Sequence, residues 1–140
     1  MADNNSGATG AVTGELLTQL ADLPTEQALA TLAASGILTP SAAAQAAQLL
    51  LATAASYPVQ AERWLPVIDA MLAATGSEPG AAADFAYARS RLAAEQGELV
   101  TAESLLQQAR GLWQEAGDDI SLARSGLGLT QLLAMQGRFD

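Results

Sequence analysis

Stretches of alanine and leucine in a helical pattern alternate along this chain with short segments rich in glycine, proline and polar residues. Apolar residues recur at spacings of three and four, as at Leu16, Leu17 and Leu20, which places them on one face of a helix. The sequence contains no run of β-branched residues in the strict two-residue alternation of a half-buried strand. The pattern therefore predicts an all-α protein of about seven helices.

Start and stop signals set the ends of these predicted helices. Proline suits the first helical position, glycine suits the C-terminal cap, and the residue before a proline avoids helical backbone. The predicted helices cover residues 13–21, 24–36, 40–56, 59–75, 81–96, 99–116 and 119–136. Pro66 falls inside the fourth of them, and we expect it either to kink that helix or to split it after Trp64.

The seventh predicted helix combines a capping signal with two unfavourable residues. Asp118 or Asp119 is placed to cap its first turn and to complement its dipole. Gly126 and Gly128 lie in its interior, where glycine costs about 1 kcal/mol relative to alanine. We expect these glycines to allow a neighbouring helix to approach closely.

Two matching glycines mark an internal repeat in the last third of the chain. Gly97 and Gly137 lie 40 residues apart (137 − 97), and they close the similar segments SRLAAEQG and TQLLAMQG. A helix, a glycine turn, a second helix and a return of the first pattern are typical of a helical-hairpin solenoid. We predict a disordered segment over 1–11 and one helical-repeat domain over 12–140, with the best repeat match in 81–140 and a degenerate repeat in 39–76.

The residues around these glycines resemble tetratricopeptide repeats. The matching positions are a small residue in the first helix, the turn glycine, and two alanines around a leucine in the second helix: Ser90, Gly97, Ala102, Leu106 and Ala109. The final repeat matches at Thr130 and Gly137. The period is about 40 residues rather than the usual 34, and the familiar Trp and Tyr of the first helix are absent. The resemblance implies a right-handed α-α superhelix, with HEAT-like hairpins as the structural alternative.

The chain stops in the middle of a repeat, where the second helix of the hairpin is expected next. Long-period repeats of this kind resemble those of kinesin light chains and of large bacterial signalling ATPases. We therefore expect the chain to be the amino-terminal part of a larger bacterial protein. Downstream domains of the same chain are then candidate partners, and self-association through an open solenoid end is a further expectation.

Composition and charge exclude several classes of function. The net charge is −9, from 15 acidic and 6 basic residues, and the scattered arginines form no basic stripe for nucleic acid or for an anionic membrane. The absence of cysteine and histidine excludes disulfides, the commonest zinc ligands and histidine-based triads. No secretory signal and no apolar run long enough for a bilayer is present. We expect a soluble, cytoplasmic, non-enzymatic protein without metal or cofactor.

A binding surface is the functional feature that these exclusions leave. In tetratricopeptide-like proteins the first helices of successive repeats line a concave groove, and transferring that arrangement by position gives seven candidate partner-binding residues: Asp84, Tyr87, Arg91, Glu95, Arg124, Leu127 and Gln131. Arg91 and Arg124 are placed to pair with carboxylates of a partner. The alternative is that Arg91 and Glu95 pair with each other on a solvated helix face.

Two functions are compatible with such a domain. The first is a non-catalytic protein-interaction scaffold or sensing module that binds a peptide or helix in the groove. The second is a regulatory domain that holds a small molecule between helices, in a roomy pocket near Trp64 or Trp113. Tryptophans in such positions are more often core anchors. An open groove with polar side chains favours the first function, and a closed apolar cavity favours the second.

Overall fold

The computed structural model describes residues 12–76 and 78–137, which form seven helices and no strand. The helices are α1 (Gly14–Ala21), α2 (Thr25–Ala34), α3 (Pro40–Ser56), α4 (Pro58–Thr75), α5 (Pro79–Glu95), α6 (Leu99–Ala116) and α7 (Asp119–Met135). The prediction of an all-α chain with about seven helices is therefore confirmed for these residues. The segment predicted to be disordered, 1–11, and the predicted start of a further helix at 138–140 lie outside the described residues.

Side-chain caps begin three of the helices. The hydroxyl of Thr13 accepts a hydrogen bond from the Leu16 amide at 3.1 Å, and that of Thr39 accepts one from Ala42 at the same distance. The Asp118 carboxylate accepts from the Ser121 amide at 3.0 Å, so Asp118, rather than Asp119, caps α7. These contacts satisfy amides that have no partner inside the helix.

Prolines account for three of the four differences between predicted and observed helix starts. Helices α4 and α5 begin at Pro58 and Pro79, one and two residues earlier than predicted, because proline has no amide that needs a partner in the first turn. Pro24 was predicted as the first residue of α2, but its extended ψ of 145° makes it the residue before the helix. Pro66 lies inside an unbroken α4, so of the two expected outcomes, a kink or a split after Trp64, the split does not occur.

The helices pack as two hairpins, α3–α4 and α5–α6, with α1 and α2 on one side and α7 on the other. Hairpin α3–α4 contacts hairpin α5–α6 mainly through α3 and α5, while α1 and α2 lie on α4 and α7 lies on α6. Small side chains allow α3 and α5, the first helices of the two hairpins, to pack closely. Ala43, Ala47 and Ala88 are each fully buried. Because alanine carries no side chain beyond Cβ, two helix backbones approach each other with little side-chain entropy lost.

Both tryptophans are buried, in agreement with their predicted role as core anchors. Trp64 is 3% exposed and donates its indole N–H to the Thr18 hydroxyl at 3.2 Å, which attaches α4 to α1. Trp113 is 2% exposed, and its ring meets that of Tyr87 edge to face, with 5.3 Å between centroids. The second contact joins α6 to α5 at the place where the candidate site lies.

Candidate binding groove

A groove follows α5 between the C-terminal half of α3 and helix α7, and it contains two adjoining depressions. The first has a volume of about 350 Å³ and lies between Ala54 and Ala55 on one side and Gly128 on the other. The second, of about 430 Å³, lies between Gln48 and the first turns of α7. Tyr87 lines both depressions, so the two adjoin at its side chain.

The groove exists because α7 contacts α6 far more than it contacts α5. Helix α5 turns its small residues toward α6, and the buried Ser90 hydroxyl donates to the Ala102 carbonyl at 2.7 Å. Residues at spacings of three and four on the neighbouring face of α5, Asp84, Tyr87 and Arg91, are thereby directed into the gap below α7.

Six of the seven predicted partner-binding residues line this groove. Tyr87, Arg91, Glu95 and Gln131 line the first depression. Asp84 and Arg124, again with Tyr87, line the second. Leu127 lies outside both linings, with its side chain 69% exposed. Their binding of a partner remains a prediction.

The Arg91 guanidinium lies over the ring of Tyr87, 5.7 Å from its centroid. Within residues 12–76 and 78–137, Arg63 and Asp22 form an ion pair, but Arg91 and Glu95 do not. The ion pair of the alternative interpretation is therefore not formed in this structure, although Arg91 and Glu95 are both exposed. An exposed guanidinium stacked on an aromatic ring keeps N–H donors that can bind a carboxylate or a carbonyl.

Two carboxylates approach each other in the second depression, and their pKa values move in opposite directions. Burial raises the pKa of Asp84, the nearby charge of Asp118 raises it further, and a hydrogen bond with Trp113 partly opposes both. Hydrogen bonds from the Ser121 hydroxyl and amide lower the pKa of Asp118. Asp118 thus keeps its charge, and Asp84 carries a charge that the fold disfavours.

The Asp84→Asn variant is expected to be more stable than the parent chain at pH 7. Because the folded-state pKa of Asp84 is raised above 3.8, its contribution to stability is fully present below pH 3.8 and is lost as the pH rises through the folded pKa. Urea titrations across this range should show a gain for the variant at neutral pH that vanishes in acid. Asp69→Asn, which removes an exposed charge from α4, is the control. An equal gain in stability in both variants would contradict the conclusion that burial and the charge of Asp118 make the ionised Asp84 unfavourable.

Sequence reasoning missed the contact that holds α7 in place. Arg110 of α6 donates through Nη1 to the Leu122 carbonyl at 2.8 Å and to the Ser125 hydroxyl at 2.7 Å. Ser125 is 1% exposed and donates in turn to the Leu122 carbonyl. No local pattern indicates this contact, because it joins residues on two different helices. It positions one wall of the groove.

The two glycines inside α7 do not meet a neighbouring helix backbone. A Cβ at Gly126 would lie 3.7 Å from Nη1 of Arg110, and a Cβ at Gly128 would lie 3.7 Å from the Tyr87 hydroxyl and 3.9 Å from Leu106. These are ordinary contacts with side chains, so the expected close approach of another helix is wrong. Gly128 lines the first depression, and its lack of a side chain leaves that depression open.

Gly128→Ala is accordingly expected to raise the free energy of unfolding by about 0.5–1 kcal/mol, through the higher helix propensity of alanine. Gly111→Ala is a matched control, because Gly111 lies inside α6 with open space where its Cβ would stand. Urea denaturation of both variants should give similar gains. A loss of stability in Gly128→Ala alone would show that the methyl group does not fit against Tyr87.

The described residues contain no group of three or more metal-ligating side chains close enough to share an ion. Among the helices of this part of the chain, none has the length and apolarity needed to cross a membrane. Comparisons with protein-family models, curated proteins and solved structures gave no match to this chain.

Proposed function

We propose that the chain is a tetratricopeptide-like helical-hairpin solenoid that acts as a non-catalytic interaction module and binds a peptide or helix of a partner protein. The observation that carries this proposal is the open groove along α5, with apolar and polar side chains from α3, α5 and α7. The absence of cysteine from the chain supports a cytoplasmic location for such a module.

A contact that recurs between hairpins supports the solenoid. The Gln96 amide, after α5, donates to the carboxylate of Glu62 in α4, and the Gln136 amide, after α7, donates to that of Glu103 in α6 at 3.1 Å. The two glutamates occupy equivalent places, four residues after the start of their helices (62 − 58 and 103 − 99). Successive repeats in a solenoid are expected to make such equivalent contacts.

The turns that follow these glutamines are also equivalent. Gly97 has a φ of +78° and Gly137 a φ of +75°, a left-handed conformation that glycine adopts without strain. The second helices of the two hairpins match as well, since Ala61 and Ala102 lie 41 residues apart (102 − 61) and both are fully buried. These features are those expected when one hairpin is repeated and shifted along a superhelix axis.

The form of the groove favours an elongated ligand over a compact one. Each depression has the volume of a small-molecule site, but both are open, and Tyr87 joins them side by side. The predicted alternative needs a closed cavity near a tryptophan. Trp64 lines neither depression, and Trp113 borders an open one that contains charged side chains. Peptide side chains in succession fit this arrangement better than one enclosed small molecule.

Selection of short random peptides on the immobilised chain tests the proposal. Ala55→Trp places a large ring on the exposed rim of the groove, and Ala73→Trp places the same ring on the exposed face of α4. Selected peptides are expected to lose at least about tenfold in affinity for Ala55→Trp and to bind Ala73→Trp normally, because the added ring at Ala55 fills part of the first depression and excludes peptide side chains from it. Peptides that bind both variants equally would contradict the groove as the site.

A further inference from the structure

We propose that the groove selects partner segments with a basic side chain, arginine or lysine, which enters the second depression between Asp84 and Asp118. This inference depends on the proposed function, because it names the chemistry of the segment that the groove binds. The rest of the segment would continue over Tyr87 toward the first depression.

The negative charge of the groove is concentrated at this end. The second depression is lined by Asp84, Asp118 and Arg124, which sum to −1, whereas Arg91 and Glu95 cancel in the first depression. A basic side chain is therefore attracted to the end of the groove near the start of α7 rather than to the other end.

Asp84 has no ion-pair partner among residues 12–76 and 78–137. In the described ranges no arginine forms an ion pair with it, and the charged group that most affects it is Asp118, which has the same sign. Arg124 lines the same depression, but its positive charge acts on Asp118, whose pKa it lowers. A half-buried carboxylate beside another carboxylate gains more from an incoming cation than an exposed one does.

The remaining lining suits a long basic side chain. Tyr87 presents aromatic surface beside the carboxylates, above the buried Trp113, and Leu51 with Ala52 presents aliphatic surface on the α3 side. The methylene stem of arginine or lysine packs on such apolar surface while its charged end reaches the carboxylates. A guanidinium is also attracted to the ring faces of aromatic residues. A neutral polar side chain would gain neither interaction.

Fluorescence polarisation with the selected peptides tests the inference. The probes are each peptide as selected and the same peptide with its arginine replaced by citrulline, its neutral isostere, or with its lysine replaced by norleucine. We expect selected peptides to contain a basic residue and the neutral form to bind about tenfold more weakly, as is usual for the loss of a charge-assisted hydrogen bond. In Asp84→Asn that difference should largely disappear.

Asp69→Asn separates this specific contact from the general attraction of basic peptides to a chain of net charge −9. The variant removes the same charge from the exposed face of α4 and should leave both affinities unchanged. Equal weakening in Asp69→Asn and Asp84→Asn would overturn the inference.

The inference and the proposed function fail in distinguishable ways. If peptides are blocked by Ala55→Trp but carry no basic residue, or tolerate its neutral replacement, the inference is wrong and the proposed function stands. If no peptide is blocked by Ala55→Trp, the proposed function is wrong and the inference falls with it. Circular dichroism should show that Asp84→Asn remains folded, since the variant removes a charge that the fold disfavours.

Discussion

Replacing Leu106 by alanine is expected to lower the free energy of unfolding by about 2–5 kcal/mol, the usual cost of removing a fully buried leucine. Leu106 is 1% exposed and packs with Ala93, Ala102 and Leu132, so that one side chain joins helices α5, α6 and α7. It also forms part of the first depression. Urea denaturation followed by circular dichroism measures the loss.

Leu127→Ala provides the control for this prediction. Leu127 is the same residue type, but it is 69% exposed on α7, and its replacement should change stability by no more than about 0.5 kcal/mol. Similar losses in the two variants would contradict the packing of α7 on the hairpin α5–α6. A normal stability of Leu127→Ala also makes this variant suitable for testing whether Leu127 contributes to binding.

Arg110→Met is expected to lower the free energy of unfolding by about 1.5–3 kcal/mol, the usual contribution of hydrogen bonds to a charged group. The substitution removes both contacts of the guanidinium with α7, at the Leu122 carbonyl and the Ser125 hydroxyl. Methionine keeps the length of the apolar stem. Since the contact holds α7, hydrogen exchange of the α7 amides should accelerate more than that of the α3 amides.

Two further variants distinguish this contact from a general effect of charge. Ser125→Ala removes one of the two acceptors and should cost less, about 1 kcal/mol. Arg124→Met removes an exposed guanidinium from α7 and should change the free energy of unfolding by about 0.5 kcal/mol or less. If Arg124→Met were as destabilising as Arg110→Met, the hydrogen bonds would not be the cause.

The positions of the helices follow from local signals in the sequence. Thr39 followed by Pro40 begins α3, and Asp118 begins α7, because a capping side chain and a proline act within one turn of the helix that they start. Helix α6 has the predicted bounds, Leu99–Ala116. Pro66 is the exception, since the packing of α4 within the core maintains a helix that local preference would interrupt.

The composition of the groove was only partly predictable. The face of α5 that carries Tyr87 and Arg91 was predicted from the resemblance to tetratricopeptide repeats, by transferring the position of their groove, and the four-residue spacing of the two residues is consistent with one side of a helix. The proximity of Asp84 and Asp118 and the contact between Arg110 and Ser125 did not follow from it. Each depends on how α7 lies against the preceding hairpin, and spacing within one helix contains no information about that placement.

Mapping a selected peptide onto the ¹⁵N-labelled chain by NMR tests the central claim most directly, because every described helix reports separately. We predict that amide shift changes concentrate along the groove, at Tyr87 and Arg91 of α5, at Gly128 of α7 and at the end of α3 around Ala55. The amides of α1 and α2, which lie on the other side of α4, should remain unchanged. Shift changes confined to α1, α2 and α4 would contradict the groove as the binding site.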